Sequence, residues 1–335
     1  MKAVGYRKPA PVSEPDALVD FDAPDPGAPV GRDLRVRVKA VSVNPVDTKV
    51  RSGRPLESGD IRILGFDAAG VVEAVGPEAT LFRPGDEVFY AGAYGRPGSN
   101  AEVQLVDERI VGPKPKTLSF AEAAVLPLTF ITAWELLFDR LRAGREETGD
   151  LLVVGGAGGV GSALVQLARR LTKLTVIATA SRPETRDWVA RLGAHHVIDH
   201  ARPLGPQLAE LGRPQVRYVA SLTHSAEHFP ALAEIVAPQG AIGVIEADAP
   251  LDVRLLKNKS AALVWEMMFA RSDYETPDMI EQHRLLAEVA RLIDAGVLRT
   301  TWTETVGRID AATLKEAHAR IESGRTLGKL ALEGF

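Results

Sequence analysis

Residues 151–171 read LLVVGGAGGVGSALVQLARRL and put Gly156, Gly158 and Gly161 in the spacing G-x-G-x-x-G. Such glycines allow a tight turn and a close approach of the backbone, so that a pyrophosphate can sit on the free N–H groups at a helix N-terminus. The context is the one this chemistry needs. Leu151–Val154 reads as a strand, Gly159 and Val160 continue the turn, and Val160, Leu164, Ala168 and Leu171 make the apolar stripe of a helix. A strand-to-helix corner that binds nothing is the competing reading. The end of the next strand separates the possible cofactors. A site for NADH usually carries Asp or Glu there, about 20 residues on, to bond the ribose 2′-hydroxyl. No acidic residue lies between Gly156 and Pro183, and Ser181 and Arg182 stand at that point. A hydroxyl and a guanidinium suit a 2′-phosphate, whose charge a carboxylate repels. The pattern therefore favours NADPH, with a solvated turn as the alternative role for Arg182.

These residues need a scaffold, and the chain supplies two textures. Its 335 residues exceed what one hydrophobic core usually serves. The first third is β-rich: Leu34, Val36, Val38 and Ala40 alternate with Arg35, Arg37 and Lys39, and residues 64–76, 86–92 and 101–106 are further short strands between turns. This spacing predicts a compact barrel-like domain. Ser119 and Glu122 form the S-x-x-E pattern of a helix start, and Pro127 breaks that helix before a second one. From residue 151 strands and helices alternate through about residue 245, which predicts a parallel sheet covered by helices on both faces. The tail after about 260 leaves that rhythm and either forms a third unit or returns to the first. The Pro- and Asp-rich stretch near 22–29 reads as a surface loop.

Composition excludes several classes. The chain is 45% hydrophobic and 25% charged with a formal charge of −4, which argues against a general binder of nucleic acid or of membrane surfaces. It has no cysteine, so disulfides, thiolate catalysis and sulfur-ligated zinc are excluded. Leu151–Ala168 carries no charge over 18 residues but holds five glycines and changes from strand to helix midway. It reads as core, and the chain as cytoplasmic. His195, His196, His200 and the i,i+4 pair His224/His228 lie in the cofactor half and read as surface residues, with no metal site predicted.

With the cofactor half second, the order of motifs becomes informative. VNPVDTKVRSG (43–53), ILGFDAAGVVEAVG (63–76), RPGDEVF (83–89), EAAVLPLTFITAW (122–134), GGAGGVGSALVQLA (155–168), RLGAHHVID (191–199) and the closing GKLALEGF together resemble the medium-chain dehydrogenase/reductase superfamily, most closely its zinc-free quinone oxidoreductase branch. The resemblance implies an α/β fold. A GroES-like catalytic domain (1–125) is followed by an inserted Rossmann doubly wound parallel sheet binding NADP (126–260), and the chain then returns to the catalytic domain (261–335), with the cofactor in the cleft. Zinc-dependent members carry an early Cys and a later Gly-His-Glu. Here Asn44 stands near the first, and Phe66 and Asp67 follow Gly65.

Without a metal to polarise a carbonyl, hydride transfer needs an electron-poor acceptor. The resemblance thus implies a zinc-independent, NADPH-dependent reductase of a quinone or α,β-unsaturated carbonyl. A 2-alkenal or enoyl-thioester reductase, with Arg51 and Arg54 beside Lys49 as a basic rim, is one alternative. A nucleotide-binding protein without turnover is the other. By the same resemblance Asn44 lies near the nicotinamide ribose and Thr132 near the nicotinamide end, and Asp47, Thr48 and Lys49 face one cleft. Lys49 either donates to a substrate oxygen or a phosphate, or is a solvated strand end. The Gly243–Glu246 backbone approaches the carboxamide, His200 lies on the adenine side, and Lys329 reaches a cofactor phosphate. Trp265, Met267 and Phe269 either line the acceptor pocket or belong to a core or dimer-interface strand. A homodimer is the implied assembly.

Overall fold

The computed structural model describes residues 1–56 and 60–335. The chain divides into two compact units, Met1–Ile131 with Phe269–Phe335, and Thr132–Met268. In chain order the first segment holds β1 (Lys2–Tyr6), β2 (Val19–Asp22), β3 (Asp33–Ser42), α1 (Pro45–Gly53), β4 (Arg62–Ile63), β5 (Asp67–Val75), β6 (Glu87–Tyr90), β7 (Val103–Asp107), β8 (Val111–Pro113) and α2 (Phe120–Ala124), then enters α3 (Pro127–Trp134). Alternation makes β3 the centre of this unit. Leu34, Val36, Val38 and Ala40 are buried while Arg35 and Arg37 pair with Glu73 on the neighbouring strand. The predicted helix start at Ser119 is present as a capping box, with the Ser119 hydroxyl accepting from Glu122 N–H and the Glu122 carboxylate accepting from Ser119 N–H.

Thr132–Met268 is a Rossmann-type unit. Its strands are β9 (Asp150–Val154), β10 (Thr175–Thr179), β11 (His196–Ile198), β12 (Val216–Ser221), β13 (Val236–Val244) and β14 (Ala262–Trp265). Between them run α4 (Gly159–Leu171), α5 (Pro183–Leu192), α6 (Leu204–Glu210) and α7 (Ser225–Ile235). The strands form one parallel sheet in the order β11-β10-β9-β12-β13-β14. The order reverses between β9 and β12, which is where doubly wound sheets bind ligands. Leu152, Val154, Ile177, Val219 and Ile242 from the strands pack with Phe229 and Leu232 of α7 in the core. Ahead of β9 the α3 helix widens into a π-turn at Glu135–Arg140, where Leu141 N–H donates to Leu136 O five residues back. The helical run Phe120–Arg140 is long and apolar enough to cross a membrane by length and composition, yet 83% of its apolar window is buried inside the protein.

The tail comprises α8 (Ala270–Asp273), α9 (Glu281–Asp294), β15 (Trp302–Gly307), α10 (Ala311–Glu322) and β16 (Lys329–Glu333). Strand β16 pairs antiparallel with β3 and parallel with β15, giving a seven-stranded sheet ordered β15-β16-β3-β5-β6-β8, with β7 also on β3. Of the two possibilities left by the sequence, the tail takes the return to the first unit.

Candidate active site

The glycine turn has room for a phosphate where it should and contact where it should not. A Cβ on Gly161 would lie 2.3 Å from Gly155 O, and one on Gly156 would lie 2.9 Å from Ala178 Cβ, so these two glycines let helix and strands close together. A Cβ on Gly158 would meet nothing nearer than 3.6 Å, so the space in front of the helix is open. Gly158 is the N-cap of α4 and offers no capping side chain. The first-turn N–H groups of Gly159, Val160 and Gly161 have no acceptor within the helix, and the helix dipole adds partial positive charge there. Gly155 N–H donates to Thr179 Oγ1 at 3.0 Å, tying the turn to the end of β10. A dinucleotide pyrophosphate fits this arrangement.

Ser181 is exposed just beyond β10, and Arg182 is the N-cap of α5, with its Nε 3.3 Å from Glu184. Arg186, which sequence reading passed over, donates to Ala180 O and Val197 O at the same edge. His200 is exposed after β11. His224, read as a surface residue, follows β12 in a left-handed conformation (φ 49°), bonded to Thr223 Oγ1 at the reversal of strand order. Gly243 lies near the end of β13, where a Cβ would come within 2.5 Å of Leu136 Cδ1.

The first unit holds a buried polar cluster around Asn44, the N-cap of α1. Asn44 N–H donates to Asp47 Oδ2 at 2.8 Å, and Gly65 N–H donates to Asp47 Oδ1 at 3.2 Å. Gly65 turns that N–H inward with φ 96°, and a Cβ there would lie 2.5 Å from Asn100 Oδ1. Asn44 Nδ2 donates to Asp67 Oδ2 at 2.8 Å, and Leu128 N–H donates to Asp67 Oδ1 at 2.8 Å. Lys329 Nζ donates to Val43 O (2.8 Å), Asn44 Oδ1 (2.6 Å) and Asp67 Oδ2 (3.2 Å). Burial pushes the Asp47 carboxyl up to about 7, against the pull of the Asn44 N–H and the Lys329 ammonium. Burial also raises Asp67 and lowers Lys329, each opposed by the charge of the other.

The first unit corrects three sequence-based readings. Lys329 spends all three ammonium donors on these oxygens, so it is not placed to hold a cofactor phosphate. Asp47 and Lys49 do not share a face. The stretch is helical, so Asp47 and Thr48 are buried while Lys49 is exposed on α1. Arg51 is also not part of an exposed rim, for it is fully buried and paired with Glu322. Trp265 and Met267 are 53% and 50% exposed at the edge of the Rossmann sheet, whereas Phe269 is buried in the first unit against Phe66 and Tyr94. Thr132 is buried on α3.

Sequence reading missed that aromatic group, in which Phe66 and Tyr94 stack at 5.9 Å and the Arg54 and Arg62 guanidinium groups lie over the Tyr94 ring. It also missed Glu135 and Glu266, two buried acids of the Rossmann unit. A zinc ion does not fit the first-unit cluster. Phe66 offers no donor atom, Asn44 and Asp67 already bind an ammonium, and sulfur ligands do not exist in this chain. Among the described residues no group of three His, Asp or Glu is arranged to hold a metal.

Two family models match, the alcohol dehydrogenase GroES-like domain over residues 31–132 and zinc-binding dehydrogenase over residues 192–332. A zinc-type alcohol dehydrogenase-like protein of Staphylococcus aureus is 40% identical over 337 residues, covering 99% of both chains. The chain belongs to the medium-chain dehydrogenase/reductase superfamily. A crystal structure of a Rhizobium etli protein classed with zinc-dependent alcohol dehydrogenases superposes on this superfamily member with a TM-score of 0.97 at 56% identity, covering 100% of this chain and 98% of that one. Over about half its length this dehydrogenase/reductase is also similar to a tomato (Solanum lycopersicum) 2-methylene-furan-3-one reductase (39% identical, 50% of this chain and 44% of that one) and to a mouse quinone oxidoreductase (36% identical, 51% of each). As a superfamily member it combines a GroES-like domain with a Rossmann-type sheet that binds a nicotinamide dinucleotide.

Proposed function

We propose that this oxidoreductase uses NADPH, works without zinc, and delivers hydride to a quinone or a related α,β-unsaturated carbonyl. The observation that carries the reading is the Lys329 ammonium held between Asn44 and Asp67, where a metal-dependent relative needs free donor atoms. With no metal to polarise a carbonyl, the acceptor must itself be electron-poor. The nicotinamide ring supplies the hydride when bound. The chain's own residues hold the rest: the amides of Gly159, Val160 and Gly161 take the pyrophosphate while Gly156 and Gly158 shape the turn, Ser181 and Arg182 take the 2′-phosphate, and His200 flanks the adenine. Asn44, Asp47 and Thr132 serve the nicotinamide end, and Gly243 lets the backbone approach the carboxamide. Lys49, exposed on α1, serves an acceptor oxygen or a phosphate.

A second reading, reduction of an enoyl thioester, is favoured by Arg54 and Arg62 beside Tyr94, which suit an anionic carrier. The exposed Trp265 and Met267, with Val253 and Leu255, suit burial in a homodimer. A cytoplasmic setting agrees with the absence of cysteine. The test is nucleotide oxidation with a panel of simple quinones, enals and enoyl thioesters, before and after chelator. Turnover of quinones or enals that survives chelation supports the proposal, and chelator-sensitive alcohol oxidation overturns it. Arg182→Ala should weaken NADPH binding by about tenfold or more and NADH binding far less, as expected for one lost charge-assisted contact. Equal losses for both nucleotides would place the 2′-phosphate elsewhere.

A further inference from the structure

Strand order divides the dinucleotide site of the Rossmann unit. The glycine turn follows β9, and Ser181 and Arg182 follow β10, so the adenine half belongs to the β9–β11 side. The other mononucleotide half then belongs outside the carboxyl ends of β12–β14. Val244 and Trp265 are the paired last residues of β13 and β14, and Glu266 N–H closes that end by donating to Val244 O at 2.9 Å. Glu266 is only 2% exposed, although both its neighbours in sequence are half exposed. Its carboxyl group turns inward onto the π-turn Glu135–Arg140, where Oε2 accepts from Arg140 Nε at 2.9 Å and Oε1 is buried with no hydrogen-bond partner. Arg140 Nη2 lies 3.8 Å from Glu135 Oε2.

Two buried carboxylates reached by a single guanidinium are one positive charge short unless a proton is held between them. The charges acting on Glu266 are Glu135 and Arg140, both from the π-turn, and β13 brings no charged residue. One guanidinium therefore faces two buried acids, and the second negative charge is removed by protonation. Burial and the nearby Glu135 push Glu266 up to about 9, so the pair keeps its proton at neutral pH. The same π-turn lays Leu136 against Gly243, and Leu141 would lie 3.3 Å from a Cβ there, so the pair clamps the helical stretch onto the carboxyl end of β13.

We propose that Glu135 and Glu266 are a proton-sharing positioning pair for the nicotinamide half of the cofactor site, holding the π-turn against β13 and β14 so that the backbone from Gly243 to Glu246 keeps the shape the nucleotide needs. This role rests on the dinucleotide reading of the unit, while the shared proton is a property of the protein alone. When the proton leaves, two like charges share one guanidinium and the clamp opens.

The test uses the full-length protein with and without nucleotide. Infrared spectra without nucleotide at neutral pH should show a carboxylic acid band that Glu266→Gln removes. Binding of NADPH and of NADH, followed by nucleotide fluorescence, should weaken in the wild type as pH rises through about 9, and Glu266→Gln should flatten that limb. At neutral pH Glu266→Ala should weaken both nucleotides by about tenfold, the scale of one lost buried hydrogen bond, and Glu266→Gln should restore most of the loss. An unchanged infrared band or an alkaline limb that persists in Glu266→Gln overturns the shared proton. Wild-type affinity in Glu266→Ala overturns the positioning role. A wild type that binds neither nucleotide overturns the dinucleotide reading and this role with it, and the infrared band distinguishes that outcome from failure of the pair.

Discussion

The two units each bury a pair of acids, and they neutralise them differently. Asp67 accepts from the ammonium of Lys329, which is itself inside the protein and hydrogen-bonded three times, and Asp47 feels that charge through space. Glu135 and Glu266 share Arg140, whose side chain is 34% exposed, and a proton supplies what the guanidinium cannot. The first arrangement has a fully buried cation bonded directly to one of its acids. The second has a partly exposed cation for two acids and relies more on protonation, although burial raises the acids of both units. Buried charge is therefore balanced mainly by a cation in one unit and by a cation and a proton in the other.

The largest effect should come from Lys329→Met. It strands the Asp67 carboxylate, so we expect a loss of about 3–5 kcal/mol in chemical unfolding, the range found when one partner of a buried pair is removed. Adding Asp67→Asn should recover part of that loss. A Lys329→Met protein as stable as wild type would end the contrast. Arg140→Met should cost less, about 1–2 kcal/mol, because its partners can protonate and its own charge is partly screened. A loss equal to that of Lys329→Met would show that protonation does not compensate.

The pH dependence of folding sharpens the difference further. Glu266 has a folded value of about 9 against an ordinary 4.5, so the native state holds the proton more tightly. Its contribution to stability is complete below about 4.5 and is lost progressively as pH rises toward about 9. Thermal melts should therefore show Glu266→Gln gaining on the wild type across that window. A constant difference would remove the raised value.

The smallest effect concerns a buried group with neither cation nor shared proton. His318 has both ring nitrogens unpartnered beside Arg51, and burial pulls it down to about 3. Here the unfolded state binds the proton first, so stability falls as pH drops from the ordinary 6.5 toward about 3. Melts of His318→Phe should lose that acid slope, and an unchanged slope would assign it to the carboxylates.

What the sequence reveals follows the range of its signals. The capping box at Ser119, the alternation in β3 and the glycine turn each lie within a dozen residues, and each is legible. The buried clusters are not. Lys329 meets Asp67 across 262 positions, and Arg140 meets Glu266 across 126. Glu266 sits between Trp265 and Met267 in an apolar run, where nothing local says that the acid points inward and the aromatic outward. Lys49 departs from the shared face for a related reason. Its neighbours Asp47 and Thr48 share its stretch of sequence, but helical rotation sends the lysine to the other side of α1.

The pairing of β16 with β3 has a consequence for biosynthesis. Residues 132–268 are contiguous and can fold as soon as they leave the ribosome, but the first unit cannot. One edge of its central strand waits for β16, and the buried site for Asp67 lacks its cation until Lys329 is made. The first unit can therefore close only after the Rossmann-type unit has already been synthesised, so its assembly is post-translational in a way that its neighbour's is not.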